Sequence, residues 1–400
     1  MKKHIIALAI TSAFVATSAL ADVEIGPFAI YGNMATAMEN ISVTAGPKAV
    51  LTSLTSNQNR LMDQTSSLGF KIKHDLGNGL TALGQIESRL LLGNTGSTSD
   101  DKGEIGSRNS FAGISSKDVG TIRLGRYDNA YKLSTKQQAP GIAGALNDAS
   151  SDVGSKQILT RLGGRQGDLV AYESPNFGGL TVLASYNFGK DQANSISGGS
   201  TSNTAKNDIS NVLAQQTSLA AGYANGPFAL GIGYTTVSNV AWKLDASSAA
   251  KAAYTAGGTH ALTAVQYGGS FTMAPFSVGA VFETTVSSLA NNANAYDQQQ
   301  NVYGVTLGYT ADAFEVQLRL AQAGDVTGTG TGSAASVKTL TAATQMGVAV
   351  QYTLNKFAKV IGSYTSLENS ANAGYIAGSE FALGTGSSQS TAALGLKVSF

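Results

Sequence analysis

A chain of 400 residues with 26 basic and 25 acidic side chains has a formal net charge of +1, so it carries no basic field of the kind that holds nucleic acid. It contains no cysteine, which excludes disulfides and thiolate metal sites. Its 47 glycines, 15 tyrosines, 14 phenylalanines and 6 prolines do not describe a disordered chain, because the aromatic residues recur in short alternating segments.

The chain opens on Met1-Lys2-Lys3-His4, an apolar run from Ile5 to Val15, and an Ala19-Leu20-Ala21 site ahead of Asp22. A basic start, a short apolar core and a small-residue site predict a secretory signal peptide over residues 1–21, cut after Ala21. A membrane anchor helix would need about 20 apolar residues, and Thr11, Ser12, Thr17 and Ser18 interrupt this stretch. Loss of Lys2 and Lys3 takes the basic count from 26 to 24 against 25 acids, so the mature chain, residues 22–400, is close to neutral. No later stretch approaches the ~18 apolar residues of a spanning helix.

In hydrocarbon every backbone amide needs an internal partner, so a spanning chain without helices must close into a barrel. Its strands then alternate apolar and polar side chains. Sixteen strands are predicted, at about 27–40, 65–74, 80–92, 107–116, 120–128, 165–174, 179–189, 215–225, 227–238, 259–272, 275–287, 300–310, 312–324, 341–353, 356–366 and 389–400. Alternation is plainest in the later ones. Phe276, Val278, Phe282 and Val286 oppose Ser277, Gly279, Glu283 and Thr285. Phe314, Val316, Leu318 and Leu320 oppose Glu315, Gln317 and Arg319. Met346, Val348, Val350 and Tyr352 oppose Gln345, Gln351 and Thr353, and Ala392, Leu394, Leu396, Val398 and Phe400 oppose Thr391, Gly395, Lys397 and Ser399. A soluble sandwich also alternates, so this pattern alone leaves both folds open.

The connections decide more. Short turns fall at Asp75-Leu76-Gly77-Asn78-Gly79, Lys117-Asp118-Val119, Pro175-Asn176-Phe177-Gly178, Asn225-Gly226, Met273-Ala274-Pro275, Thr310-Ala311-Asp312 and Leu354-Asn355-Lys356. Between them lie eight longer polar connections, including 190–214 and 325–340. An even strand number with short turns on one side and long loops on the other is the pattern of an outer-membrane barrel, and one closed sheet absorbs residues 22–400 as a single domain. The Gly-Thr repeats at 328–331 lack the strand-to-helix context of a phosphate loop and read as a connection.

From Ile25 to Phe400 the chain resembles the general diffusion porins of Gram-negative bacteria, especially the trimeric type of β-proteobacteria. The segments that carry the resemblance begin with Phe28-Ala29-Ile30-Tyr31-Gly32, Ser67-Leu68-Gly69-Phe70-Lys71 and His74 to Leu80. Arg108 to Ile114, Val119 to Arg126, Tyr172 to Leu180 and the terminal Phe400 continue it. The resemblance implies an all-β fold: a 16-stranded antiparallel transmembrane β-barrel with short periplasmic turns, long extracellular loops and an inward-folded third loop. It implies a homotrimer set in outer-membrane lipid and lipopolysaccharide. Residues 129–160 match the pore-constricting loop and are far longer than a usual connection. Phe400 matches the aromatic that such barrels offer to the barrel-assembly machinery, and it also suits an interfacial girdle. Two departures stand out. Ser67 occupies the place of a basic residue that commonly precedes Leu-Gly-Phe, and Ala139 to Asp148 replaces the acidic motif of the inward loop.

A diffusion pore needs a wet lumen, a size limit and a field, but no reactive group. Arg108 and Arg165 lie in contexts that match the family's lumen arginines, and a charge on the lipid face near the midplane would cost about 2–4 kcal/mol. Arg126, Arg161 and Arg89 are further candidates, for which the pore wall and an ordinary solvated position remain equal readings. Asp148 and Asp152 on the long loop, with Glu87 on the third strand, are the candidate acids. Lys71 sits beside a turn and is expected at the periplasmic mouth. After the signal the histidines are His74 and His260, expected at opposite ends of the barrel, so they cannot serve one triad or share a metal. The expectation is no enzyme, no cofactor and no metal site, but a water-filled channel for passive diffusion of small hydrophilic solutes and ions. A substrate-specific channel or a barrel adhesin acting through its external loops are the alternatives. The tyrosines and Trp242 scatter over strand ends and loops instead of lining one inward parity, which favours a nonspecific pore over a sugar channel.

Overall fold

A computed structural model describes residues 23–44, 46, 57–92, 104–138, 158–159, 162–189, 215–238, 259–290, 295–330, 340–375 and 386–400. The first part of the chain forms β1 (Val23–Ile25), β2 (Phe28–Thr44), β3 (Asn57–Asp63), β4 (Ser67–Gly77), β5 (Leu80–Arg89), β6 (Ser110–Ser116) and β7 (Gly120–Asp128). A helix, α1 (Ala130–Gln138), precedes β8 (Arg165–Glu173), β9 (Leu180–Asn187), β10 (Gln216–Asn225), β11 (Phe228–Ser238) and β12 (Thr259–Met273). The remainder gives β13 (Phe276–Ala290), β14 (Ala295–Ala311), β15 (Phe314–Ala323), β16 (Thr327–Gly330), β17 (Ala343–Thr353), β18 (Ala358–Asn369) and β19 (Ser388–Ser399).

These segments fill sixteen antiparallel wall positions. β3 and β4 share one of them: β3 pairs with the loop end of β2 and β4 with Phe28–Asn33, the break falling at Thr65, whose φ is +65°. β16 likewise extends β15 along β14. Pairing of β19 with β2, from Ser388↔Thr44 to Ser399↔Asn33, closes the ring. Phe400 then exchanges backbone bonds with Gly32 at 2.9 and 3.0 Å, and β1 continues the same edge of β2 below it.

All sixteen predicted strands are present. Three expectations fell short at the loop end. The twelfth strand, expected at 300–310, starts at Ala295; the second has an upper section, β3, that was read as loop; and β16 stands inside 325–340, which was read as a connection through its Gly-Thr repeats. These pieces are polar without alternation, as in Asn57-Gln58-Asn59-Arg60, because strands that rise above the hydrocarbon are wetted on both faces and alternation carries no signal there.

The distribution of side chains is the reverse of a soluble protein's. On β17 Met346, Val348, Val350 and Tyr352 are exposed while Gln345, Ala349 and Gln351 are buried; β15 exposes Phe314 and Leu320 and buries Gln317 and Arg319. A face of this extent cannot remain in water, which removes the soluble sandwich reading and identifies the outer surface as the one facing lipid. Aromatic pairs ring it near the short turns: Phe228 with Phe271, Phe276 with Tyr309 and Phe314 with Tyr352, at 5.0, 5.3 and 4.6 Å between centroids. They form the interfacial girdle at the periplasmic end.

Inside the ring, α1 lies against the inner faces of β10, β11 and β12 and reaches β9 and β13. The chain therefore turns inward directly after β7 and lays α1, the described start of the loop expected at 129–160, on the inner wall; residues 139–157, 160 and 161 of that loop lie outside the described residues. Hydrogen bonds hold α1 there. Tyr131 donates its hydroxyl to Glu283 at 2.7 Å, and Gln266 Nε2 donates to the Tyr131 carbonyl and to Ser134 Oγ, both at 2.6 Å. Ser185 Oγ accepts from Ala130 N at 3.0 Å. The fit needs Gly233, since a Cβ there would overlap Ser134 Oγ. Further along the loop, Ile158 and Leu159 pack with Val281, Val302, Ala321 and Leu367 on the inward face.

Candidate pore constriction

With α1 on the β9–β13 side, the inner face of the wall from β2 to β8 holds the charged residues. Inward positions of this wall carry a repeated unit, a carboxylate on one strand and an arginine on the next. Glu39 on β2 binds Arg60 on β3 at 2.8 Å and accepts Gln64 Nε2 at 2.6 Å. Asp63 on β3 faces Arg89 on β5 at 3.6 Å. Glu87 on β5 pairs with Arg108, just ahead of β6. Asp128 on β7 faces Arg165 on β8 at 3.7 Å and also holds Lys132 of α1 at 2.6 Å. Arg126 Nε donates to the Ser107 carbonyl at 3.0 Å, and Arg165 Nε donates to Asn109 Oδ1 at 2.6 Å. Arg165 lies in the combined field of Asp128, Arg108, Glu87 and Arg126, so these groups form one cluster.

The units are oriented. The four carboxylate side chains keep 0–9% of their surface accessible and the four arginine side chains 17–25%. The negative end is set into the wall and the positive end is presented to the lumen. A bulge helps to build this arrangement: the β7–β8 register shifts between Gly125 and Tyr127, with Asp168 at a φ of +47°, where two ends carrying Asp128 and Arg165 are brought level.

Of the residues singled out in the sequence, Arg108, Arg165, Arg126, Arg89 and Glu87 all fall on this wall. Glu87 does not face the arginines across a gap but is bonded directly to Arg108 on the same side. Asp148, Asp152 and Arg161 lie outside the described residues. Lys71 projects over the Tyr31 ring, 4.0 Å from its centroid, below the cluster. His74, next to a short turn, and His260, at the loop end of β12, occupy opposite ends of the wall. Sequence reasoning missed Glu39, Arg60, Asp63, Asp128 and Lys132. Glu39 shares the parity of Tyr31 on a predicted strand and so could have been found, whereas Arg60 and Asp63 lay in the segment read as loop. A fifth pair, Arg123 and Glu173 at 2.8 Å, sits lower with the guanidinium against Phe111 and Tyr127, and here the order is reversed: 8% of the arginine and 15% of the glutamate side chain is accessible.

Comparison with known proteins agrees with this geometry. A family model described as Gram-negative porin matches residues 7–373. The chain belongs to the Gram-negative porin family. Members of this family are outer-membrane channels, and the chain is similar to major outer membrane protein P.IB of Neisseria meningitidis serogroup B, with 31% identity over 188 residues. That match covers 46% of the porin chain and 49% of the relative, so the chain spans about half the length of the curated relatives it matches. P.IB of Neisseria sicca is 31% identical over 194 residues, 48% of this chain and 49% of that one. Among solved structures, the anion-selective porin from Comamonas acidovorans superposes with a TM-score of 0.66 at 18% identity, covering 93% of this porin and 99% of that chain. The trimer form of Vibrio cholerae OmpT gives 0.59 at 15% identity, over 94% and 100% of the two chains. Identities this low establish the shared barrel fold.

Proposed function

We propose that the porin is a water-filled channel through which small hydrophilic solutes and ions cross the outer membrane passively, and that its arginine wall makes anions the favoured ions. The observation that carries the ion preference is the orientation of the acid–arginine units. A passing ion meets guanidinium before carboxylate, and the nearer charge dominates because Coulomb energy falls with distance. Arg60, Arg89, Arg108, Arg126, Arg165 and Lys132 also outnumber Glu39, Asp63, Glu87 and Asp128, six to four, among the described residues. The fold shared with the anion-selective porin from Comamonas acidovorans supports the same reading.

The working form is a homotrimer, supported by the fold shared with the OmpT trimer form. Lipid and lipopolysaccharide surround its apolar outer face and loop rim, and Phe400, seated against Gly32 where the ring closes, offers its aromatic end to the assembly machinery. No chemical step is required of any residue. A planar-bilayer recording under a salt gradient tests the proposal: an ohmic pore with a reversal potential on the anion side is expected. A cation-side potential would refute the ion preference, and the absence of any pore conductance would refute the channel.

A further inference from the structure

Tyr31, Gly69 and Glu87 are direct cross-strand neighbours on β2, β4 and β5, so one row of the inner wall reads tyrosine, glycine, glutamate. Adjacent strands lie about 4.8 Å apart, so Tyr31 must reach over β4 to touch Glu87 two strands away. It does so lying against the wall, because a Cβ at Gly69 would overlap its ring and hydroxyl. The Tyr31 hydroxyl donates to Oε2 of Glu87 at 2.8 Å, while Oε1 takes Nε of Arg108. Among the described residues those two bonds are the side-chain partners of this carboxylate, one oxygen each. Both Tyr31 and Glu87 are buried.

We infer that Tyr31 is a positioning residue for ion preference: its hydroxyl pins Glu87 into the wall and so holds the Arg108 guanidinium forward in the lumen. The inference rests on the arginine wall being the selective element. Without the hydroxyl, Oε2 loses the one donor it has among the described residues, and a buried carboxylate with an open lone pair moves towards solvent. The negative end of the unit would then approach the lumen, offsetting Arg108.

The test is Tyr31→Phe, which keeps the ring and removes the donor. At low salt its anion-over-cation permeability ratio should fall roughly two-fold, with single-channel conductance unchanged, the size expected for a unit charge shifted by ~2 Å beside the ion path. In a Glu87→Gln background the same substitution should have no effect on the ratio, because the amide has no charge to misplace. An equal shift in both backgrounds would overturn the proposal in favour of a general packing role. A silent Tyr31→Phe beside an Arg108→Ser that does lower the ratio would overturn the role of Tyr31 and leave the arginine wall standing. Silence of both would overturn the two together. Gly69→Ala gives an independent arm, since it forces the ring off the wall. It should lower the ratio and reduce conductance as well, and an unchanged ratio in this variant would also count against the proposal.

Discussion

Replacing Arg108 and Arg165 together by serine removes two cations from the cluster and leaves Glu87 and Asp128 in place. A unit charge ~6 Å from the ion path acts on a passing ion by about 0.7 kcal/mol at the dielectric of water and by about 3 kcal/mol at an effective value near 20. Even the smaller figure, doubled, lowers anion occupancy at the constriction roughly ten-fold. The two single variants should differ. Asp128 keeps Lys132 at 2.6 Å after loss of Arg165, whereas Glu87 keeps only the Tyr31 hydroxyl after loss of Arg108, so Arg108→Ser exposes more negative charge. The assay is the reversal potential of purified protein in a planar bilayer, repeated over a salt series. The double variant should move towards cations with conductance equal or higher, since bulk is removed. The shift should be largest near 0.01 M, where the Debye length is about 30 Å, and fade near 1 M, where it is about 3 Å. An unchanged reversal potential at low salt would refute the placement of the selective cluster on this wall.

Loosening the inward loop should act on gating instead of preference. Tyr131→Phe or Glu283→Leu breaks a buried bond between α1 and β13 and should cost about 1–3 kcal/mol of loop docking, read as more frequent closures in single-channel records. Closure rates equal to those of the unaltered porin would show that the bond does not hold the loop. On the lipid face, Val348→Arg at the middle of β17 should lower folding stability in lipid vesicles by about 2–4 kcal/mol, and Leu354→Arg in the adjoining turn by only about 0–1 kcal/mol. Equal costs would contradict the outward assignment of that parity. Protein taken from outer membranes should begin at Asp22 by N-terminal mass spectrometry and scatter light as a homotrimer in mild detergent.

The parts of this fold that were legible in the sequence are those where lipid on one side and water on the other impose opposite demands two residues apart. β13, β15, β17 and β19 could be assigned face by face for that reason. Legibility ended where both faces are wet, which hid β3, the start of β14 and β16. It ended again wherever a contact depends on register. Glu39 and Arg60 are cross-strand partners, but nothing in residues 39–60 announces it, and the bond between Tyr131 and Glu283 joins residues 152 apart. Arg108 and Arg165 were found through their family-like contexts and not through physics. Their partners Glu87 and Asp128 show why physics alone was insufficient: each pair forms across strands whose relative height is set by turns and a bulge.

Pairing Arg60, Arg89, Arg108 and Arg165 each with a recessed acid resolves a conflict that bare arginines would create. Arg108 and Arg126 both stand close enough to act on Arg165, and like charges crowded at the rim of a low-dielectric wall would repel and splay. A recessed carboxylate cancels much of that repulsion and fixes each guanidinium by a charge-assisted bond, as Glu39 does for Arg60 and Glu87 for Arg108. What reaches the ion is then the field of an oriented pair plus a small excess of positive charge. Such a field is strong within a few ångströms and weak beyond, so it favours anions at the narrowest section without holding them there. A wall of unpaired arginines would bind anions tightly and slow their release, which is the wrong property for a channel that must pass many solutes. The wall therefore combines preference with throughput because four of its arginines are paired with acids set back from the water.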